Sequence, residues 1–349
     1  MMILASARFD WARVRCATLA AALALATLAG PAQAQVQVQV QVQVQSSAAQ
    51  AEAAWPSRPI RIIVPSASGS ATDTAVRKQT NFLTARYKWQ FIVENKPGAN
   101  GFIAVAEFLR APADGYTLFG GSSTTVTANP VVFKSLPYNP VTDFVPVFRS
   151  NFLPYVLMGA PKHKLKSVDE LVTMLRAAPG KLSYASYGSS RGSAEMFLQS
   201  VGGKAVHVPY KSNPPALVDL AGGHIDYMFG DMGGAKGLFT SGQLQPLAVT
   251  APKRLKSYPN VPTMIEAGFP NFEMSAWTGY FAPRGISPVI VRKFHAAASA
   301  YFKTREADEY VESIGGVYVE VAPAEFGRWI EDDIALNRAV YRRANIDPE

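Results

Sequence analysis

Three stretches of this 349-residue sequence concentrate hydroxyl groups and glycines. Residues 66–73 read Ser-Ala-Ser-Gly-Ser-Ala-Thr-Asp, residues 120–125 read Gly-Gly-Ser-Ser-Thr-Thr, and residues 186–193 read Ser-Tyr-Gly-Ser-Ser-Arg-Gly-Ser. Each follows a short strand-like run and precedes a helical pattern, so each sets hydroxyls beside a helix N-terminus. The unpaired N–H groups and partial positive charge there suit a carboxylate or phosphate. Hydroxyls add donors without burying a fixed cation. The candidate ligand-binding set is Ser66, Ser68, Gly69, Ser70, Ala71, Thr72 and Asp73 in the first loop and Ser123 and Thr124 in the second. Ser186, Tyr187, Gly188, Ser189 and Ser190 come from the third, and Tyr210 and Asp231 complete it. The competing explanation is that Ser and Gly merely suit turns and helix caps.

A second chemistry competes for the third loop. Residues 188–192 match Gly-x-Ser-x-Gly between a strand and a helix, the setting of a nucleophile elbow. Ser190 would be the nucleophile of an esterase, with Asp226 or Asp231 as acid and His295 as base. Against it, the chain has no His-Gly-Gly-type oxyanion loop, and three fixed positions come cheaply in a Ser/Gly-rich loop. Neither a Walker-type Gly-x-x-x-x-Gly-Lys-Ser/Thr run nor a Gly-x-Gly-x-x-Gly after a strand occurs, so nucleotide use is not indicated. His163, His207, His224 and His295 stand apart, without His-Glu-x-x-His spacing. His207, between Val206 and Val208, reads as a structural strand residue. No metal, no cofactor and no catalytic residue is assigned.

The elements that position these loops alternate strand and helix, the pattern of parallel sheets with crossover helices. Strands are expected at 60–64, 91–93 and 117–119, with helices at 72–87 and 102–110. A second set has strands at 155–158, 182–185, 206–208, 227–229 and 247–249. Its helices start after Ser167, whose Ser-Val-Asp-Glu run is a capping box, around 194–201, and after Pro214-Pro215. Two further helices open at Ser287-Pro288 and Pro323. Their stripes, Ile290, Phe294, Ala297 and Tyr301, then Phe326, Trp329, Ile330 and Ile334, need something to cover, and the first lobe is the economical choice. The fold class is therefore α/β, two lobes that are each a sheet flanked by helices, joined by a hinge. The expected divisions are residues 55–153 with 277–349 for lobe 1 and residues 154–276 for lobe 2.

Length and composition agree with that. Single cores stop growing near 250–300 residues, and 48% hydrophobic with 17% charged residues excludes a disordered or fibrous chain. Residues 1–34 have an arginine-bearing start, an apolar run at 17–29 and the ending Ala32-Gln33-Ala34, the three parts of a secretory signal peptide cleaved after Ala34. The run is shorter than the roughly 20 residues that span a bilayer. Cys16, the one cysteine, falls inside this leader. An exported chain without thiols points to a periplasm. Residues 35–45 alternate Gln and Val, and with residues 46–54 they read as a low-complexity linker. The leader holds Arg8, Arg13, Arg15 and Asp10, so the formal charge falls from +8 to +6 without it. None of the basic clusters at 162–166, 253–256 and 338–343 is interleaved with an aromatic stacking series, so nucleic-acid binding is not expected.

The order of several segments resembles the solute receptors of tripartite tricarboxylate transporters, the Bug family. They are Trp-Pro-Ser-Arg-Pro-Ile at 55–60, Ala-Thr-Asp at 71–73, Val-Glu-Asn-Lys-Pro-Gly-Ala-Asn-Gly at 93–101, and Ala-Asp-Gly-Tyr-Thr-Leu at 113–118. Leu-Pro-Tyr-Asn-Pro at 136–140, Pro-Gly-Lys-Leu-Ser-Tyr-Ala-Ser at 179–186, His-Val-Pro-Tyr-Lys at 207–211, Leu-Ala-Val-Thr at 247–250 and Glu-Ala-Gly at 266–268 complete the series. The resemblance implies a Venus flytrap that closes on a small organic carboxylate and hands it to a membrane permease, acting as a monomer. It also implies that residues 66–73 and 186–190 hold the carboxylate, partly through water. The sequence departs from the family's usual Pro-Phe-Ala-Pro-Gly-Gly-Ala-Thr-Asp by placing serines at 66, 68 and 70. Losing a bulky residue at 66 enlarges the pocket, and Tyr187 offers a flat wall. A larger dicarboxylate, including an aromatic one, is the expected ligand. A periplasmic sensor subunit for the same solute would have the same sequence features.

Overall fold

The computed structural model describes Glu52, residues 54–270, Phe272 and residues 274–348. The expected leader, its cleavage point and the Gln-Val repeat lie outside the described residues. The chain divides into two units, Met1–Trp55 and Pro56–Glu349, and every strand and helix that bears on the site belongs to the second.

Strand β1 (Ile60–Val64) lies parallel to β2 (Phe91–Asn95) and β3 (Thr117–Ser122), with Ile62 opposite both Val93 and Leu118. Helix α1 (Ala71–Tyr87) crosses between β1 and β2, and α2 (Phe102–Phe108) between β2 and β3. Ala75, Val76, Gln79 and Leu83 form the buried stripe of α1, at the 3–4 residue spacing an amphipathic helix requires. In the other half, β5 (Ser183–Ser186) lies parallel to both β6 (Val206–Pro209) and β7 (Tyr227–Asp231). Helices α3 (Val168–Ala177), α4 (Ser190–Val201), α5 (Asn213–Ala221) and α6 (Met232–Thr240) flank it, and β8 (Gln245–Val249) comes next. The capping box at α3 forms with a shift: the Ser167 hydroxyl accepts from Glu170 N–H at 3.3 Å. The glutamate accepts from the N–H of Lys166, one residue before the cap, at 2.7 Å.

Two long strands join the halves. The strand expected at 155–158 is the end of the 16-residue β4 (Phe144–Gly159), which was not legible because Pro146 and Pro154 break a strand pattern. The chain tolerates them through register shifts at Pro146/Phe148 and Arg149/Asn151, local bulges that absorb an extra residue. Strand β9 (Ser275–Pro283) is the other unexpected one. Its Gly279 passes so near the Phe148 carbonyl and the Phe326 ring that a Cβ would sit 2.8 and 2.9 Å from them. The sheet order is β2-β1-β3-β9-β4-β7-β5-β6, with β8 also on β4. Residues 144–154 of β4 pair with β9, and residues 155–159 with β7. One strand thus serves both lobes.

The cores follow the same division. Ile63, Phe108, Phe119, Trp277, Phe281, Phe326 and Ile330 pack in one. Alternate residues of β4 point to opposite faces of the other sheet. Tyr155 and Leu157 therefore pack with Phe197 and Phe229, whereas Val156 and Met158 pack with Leu217 and Met228. Helix α7 (Pro288–Tyr301) buries Ile290, Phe294, Ala297 and Tyr301, and α8 (Arg305–Ser313) succeeds it. Helix α9 (Pro323–Arg343) buries Phe326, Ile330 and Ile334, while Trp329 is only partly covered and stands edge-on to Phe152 and Trp277. Beyond β4, α9 also reaches α4, where Gln199 Nε2 donates to the Val340 carbonyl at 2.6 Å. Among the described residues no helix is long and apolar enough to cross a membrane.

Candidate functional site

The first loop leaves β1 and enters α1. Ser70 is the N-cap of α1 and its hydroxyl accepts from Asp73 N–H at 3.2 Å, the arrangement that satisfies one otherwise unpaired helix donor. Asp73 is buried and draws the loop round itself: it accepts from Gly69 N–H at 2.8 Å, from Arg77 Nε at 2.9 Å and from Asn95 Nδ2 at 3.0 Å. Burial is the largest single influence on its carboxyl and opposes ionisation. Gly69, Arg77 and Asn95 together outweigh it and hold the pKa below the usual carboxylate range. Asn95 Nδ2 also donates to the Ser66 carbonyl at 2.9 Å, and the Ser66 and Ser70 hydroxyls lie 2.7 Å apart. Gly69 turns with φ +80°, a conformation that favours glycine. The result leaves Ser68, Gly69 and Ala71 exposed and Ser66 and Ser70 half-buried, while Thr72 and Asp73 face inward.

The second loop runs from β3 into a π-helical turn at Thr124–Ala128, a feature found often at functional sites. The third comes after β5, where Tyr187 N–H donates to the Ser190 hydroxyl at 3.0 Å. These two loops meet. The Ser123 and Ser189 hydroxyls are 3.0 Å apart, the Tyr155 hydroxyl is 2.7 Å from Ser189 Oγ, and a Cβ on Gly188 would lie 3.0 Å from Thr124 Oγ1. The sequence offered no signal for Tyr155, which reaches the site only because β4 runs through both lobes.

Ser186 is buried, its hydroxyl 2.7 Å from His207 Nε2. His207 stacks on Tyr184, and burial, with Arg191 nearby, pushes its pKa down to about 4. It is thus a neutral strand residue that orients Ser186. Tyr210 donates its hydroxyl to Asp219, and burial together with that carboxylate pushes its pKa up to about 12. Asp231 N–H donates to the Tyr187 hydroxyl at 3.0 Å. Burial raises the Asp231 carboxyl above its ordinary range, the Tyr187 hydroxyl partly offsetting it.

The esterase arrangement is not assembled. Ser190 is fully buried and accepts from Tyr187 N–H. His295 bonds to the Val321 carbonyl at 2.9 Å and stands edge-on to Phe148. Asp226 takes Lys162, His163 and both the N–H and hydroxyl of Ser183. Among the described residues no group of three His, Cys, Asp or Glu could hold a metal. A cavity of about 480 Å³ lined by Pro130, Arg338, Tyr341 and Arg342 contains none of the candidate residues.

A sheet divided between two lobes, with hydroxyl-rich loops meeting beyond the strand ends, is the architecture of a two-lobed solute-binding protein. Residues 76–346 match the tripartite tricarboxylate transporter family receptor, and the chain belongs to that family. It is 32% identical over 292 residues to the protein BugT of Bordetella pertussis, covering 82% of this chain and 90% of BugT. Among solved structures it resembles R. palustris Rpa4515 with adipate, with a TM-score of 0.76, 31% identity and coverage of 84% and 100% of the two chains. The periplasmic binding protein BugD is similar as well, with a TM-score of 0.73, 26% identity and coverage of 84% and 100%.

Proposed function

We propose that this protein is a periplasmic receptor that closes two lobes on a small carboxylate and delivers it to a membrane permease, acting as a monomer. The observation that carries this reading is the meeting of Ser123 and Thr124 from one lobe with Gly188 and Ser189 from the other. Such a contact presents donors from both lobes to one solute and needs no fixed cation. The adipate held by Rpa4515 supports a carboxylate as the class. The moving bodies are residues 55–153 with 277–349 and residues 154–276. The change of partner along β4 at Tyr155 supports a hinge there.

The ligand is a larger dicarboxylate, including an aromatic one. Ser66 is small and half-buried beside the exposed Ser68, and Tyr187 packs its ring on the lobe 2 core. About six hydrogen bonds at a net ~0.5–1.5 kcal/mol each contribute roughly 3–9 kcal/mol before the cost of ordering. Sub-micromolar affinity therefore also needs apolar contact. A thermal-shift screen of mono-, di- and tricarboxylates, aliphatic and aromatic, tests the class, since a ligand specific to the folded state raises the melting point. Calorimetry then tests the size. Tight binding of succinate or glutamate with none of phthalate-type acids overturns the larger ligand, and no shift with any carboxylate overturns the receptor reading.

A further inference from the structure

The Gly-x-Ser-x-Gly segment at 188–192 is left without a catalytic part, since Ser190 is buried and accepts from Tyr187 N–H. Its two glycines nevertheless share a surrounding. A Cβ on Gly188 would lie 3.0 Å from Thr124 Oγ1, and a Cβ on Gly192 would lie 3.1 Å from Asn337 Oδ1. Both opposing atoms belong to the other proposed lobe, one on the turn after β3 and one on α9. Gly188 has a second reason to be glycine, its φ of +49°. Gly192 has none of that kind, because it lies in the first turn of α4, where alanine forms a better helix.

What keeps Gly192 small is therefore the approach of a neighbour. The end of the Met274 side chain is also 2.8 Å from that Cβ, but it is flexible and belongs to the same lobe. Asn337 is buried and fixed, its Nδ2 donating to the Asp333 carbonyl at 2.8 Å. The contact continues along α4. The Arg191 guanidinium lies 5.7 Å from the centre of the Tyr341 ring, within cation–π range. Met196 packs against the cores of both lobes, and Gln199 Nε2 donates to the Val340 carbonyl at 2.6 Å. Residues 192, 196 and 199 recur at the spacing of one helix face, as do residues 337, 340 and 341 on α9. One face of α4 thus lies on the last turns of α9, and none of these residues is among those offered to the solute.

We infer that the Gly-x-Ser-x-Gly segment is a closing face: its glycines let the third loop and α4 seat against lobe 1, and the α4–α9 contact sets solute affinity without touching the solute. This rests on the two-lobed receptor reading above and extends it, since closure is then stabilised both at the hydroxyls and at the α4–α9 face. A side chain that keeps the face from seating lowers the closed population, and the apparent affinity falls with it.

Calorimetry of Gly192→Val with succinate, glutamate, adipate and phthalate tests this. Whichever of them binds the unaltered protein binds Gly192→Val about tenfold or more weakly. With Asn337→Ala in the same chain the opposing side chain is cut back, and affinity returns to within about threefold of Asn337→Ala alone. The melting point of ligand-free Gly192→Val falls by no more than about 2 °C, because lobes free to part need not bear the clash. Unchanged affinity in Gly192→Val overturns the inference. So does a loss that Asn337→Ala leaves in place, which assigns the effect to damage within lobe 2. Gln199→Ala decides if Gly192→Val does not fold: removing the bond to Val340 weakens binding about threefold, and unchanged affinity overturns the inference. Absence of binding by every compound to the unaltered protein overturns the receptor reading itself and is distinct from these outcomes.

Discussion

The first and third loops have similar compositions and are organised in opposite ways. Residues 66–73 are tied by charge from within their own lobe, with Asp73 gripping Gly69, Arg77 and Asn95. Residues 186–190 are tied by neutral groups, Ser186 to His207, Ser190 to Tyr187 N–H, and Ser189 to Tyr155 and across the cleft to Ser123. A loop clamped by a buried carboxylate keeps its shape whether or not the other lobe is near. A loop whose outer serine depends on hydroxyls across the cleft is completed only when the lobes approach. On the proposed closure of the lobes, one side would be preorganised and the other would report closure.

Four measurements test that contrast. The largest effect belongs to Asp73→Ala, which removes the buried carboxylate that the Gly69 N–H, Arg77 and the Asn95 amide share and leaves the Asn95 amide only the Ser66 carbonyl. It is expected to cost about 2–4 kcal/mol, read from urea unfolding. A loss below about 0.5 kcal/mol would show that the clamp is not what shapes the loop. The Asp73 contribution is present above the ordinary carboxylate range and is lost as the pH falls through its depressed folded value.

His207 gives the next effect. Its folded pKa of about 4 lies below the ordinary value of 6.5, so the unfolded chain takes the proton first on acidification. Stability is unaffected by this group above pH 6.5 and declines from there towards pH 4, by at most about 3 kcal/mol and less for the part of the ring that water reaches. Unfolding midpoints followed against pH, with His207→Gln as the reference, show whether this slope exists. A slope unchanged in the variant would assign it elsewhere.

Tyr155→Phe removes only the hydroxyl that holds Ser189. We expect a loss of about 1 kcal/mol and a shift towards the open form, seen as a larger radius of gyration in X-ray scattering. Identical scattering would remove the third loop's role in closure. The smallest effect on stability is expected for Ser66→Ala and Ser68→Ala, which lie on the half-buried and exposed surface of the clamped loop. Each should leave the melting point nearly unchanged while weakening the ligand about 3–10-fold by calorimetry. Unchanged affinity in both moves the site away from this loop.

Much of the local structure was legible. The strand-loop-helix order, the stripes of α1, α7 and α9 and the Ser167 capping box all rest on periodicities and short-range hydrogen bonds that neighbours in sequence determine. Three things were not. The first half of β4 was hidden by Pro146 and Pro154 because a proline removes a ladder donor, and the bulges that compensate depend on the partner strand. The strand β9 was hidden by its small residues, and Gly279 is explained only by the closeness of Phe148 and Phe326. The start of α4 at Ser190, four residues before the apolar pattern begins, is set by hydrogen bonding within the loop.

The candidate site divides in the same way. That hydroxyl-rich loops would stand at strand ends before helices was contained in residue types and spacing. Which of those residues present their groups and which serve the scaffold was not, because it depends on what approaches from far along the chain. Thr72, Asp73 and Ser190 turn inward, Tyr210 is engaged by Asp219, and Tyr155, on a strand the sequence did show, carries no mark of a site residue. Residue order was enough for the α/β class, the family and the chemistry available to the loops, since propensity, periodicity and side-chain type are local properties. That Ser123 meets Ser189, and that the Tyr155 hydroxyl joins them, came from tertiary structure, because only the packing of distant strands through β4 brings these groups together.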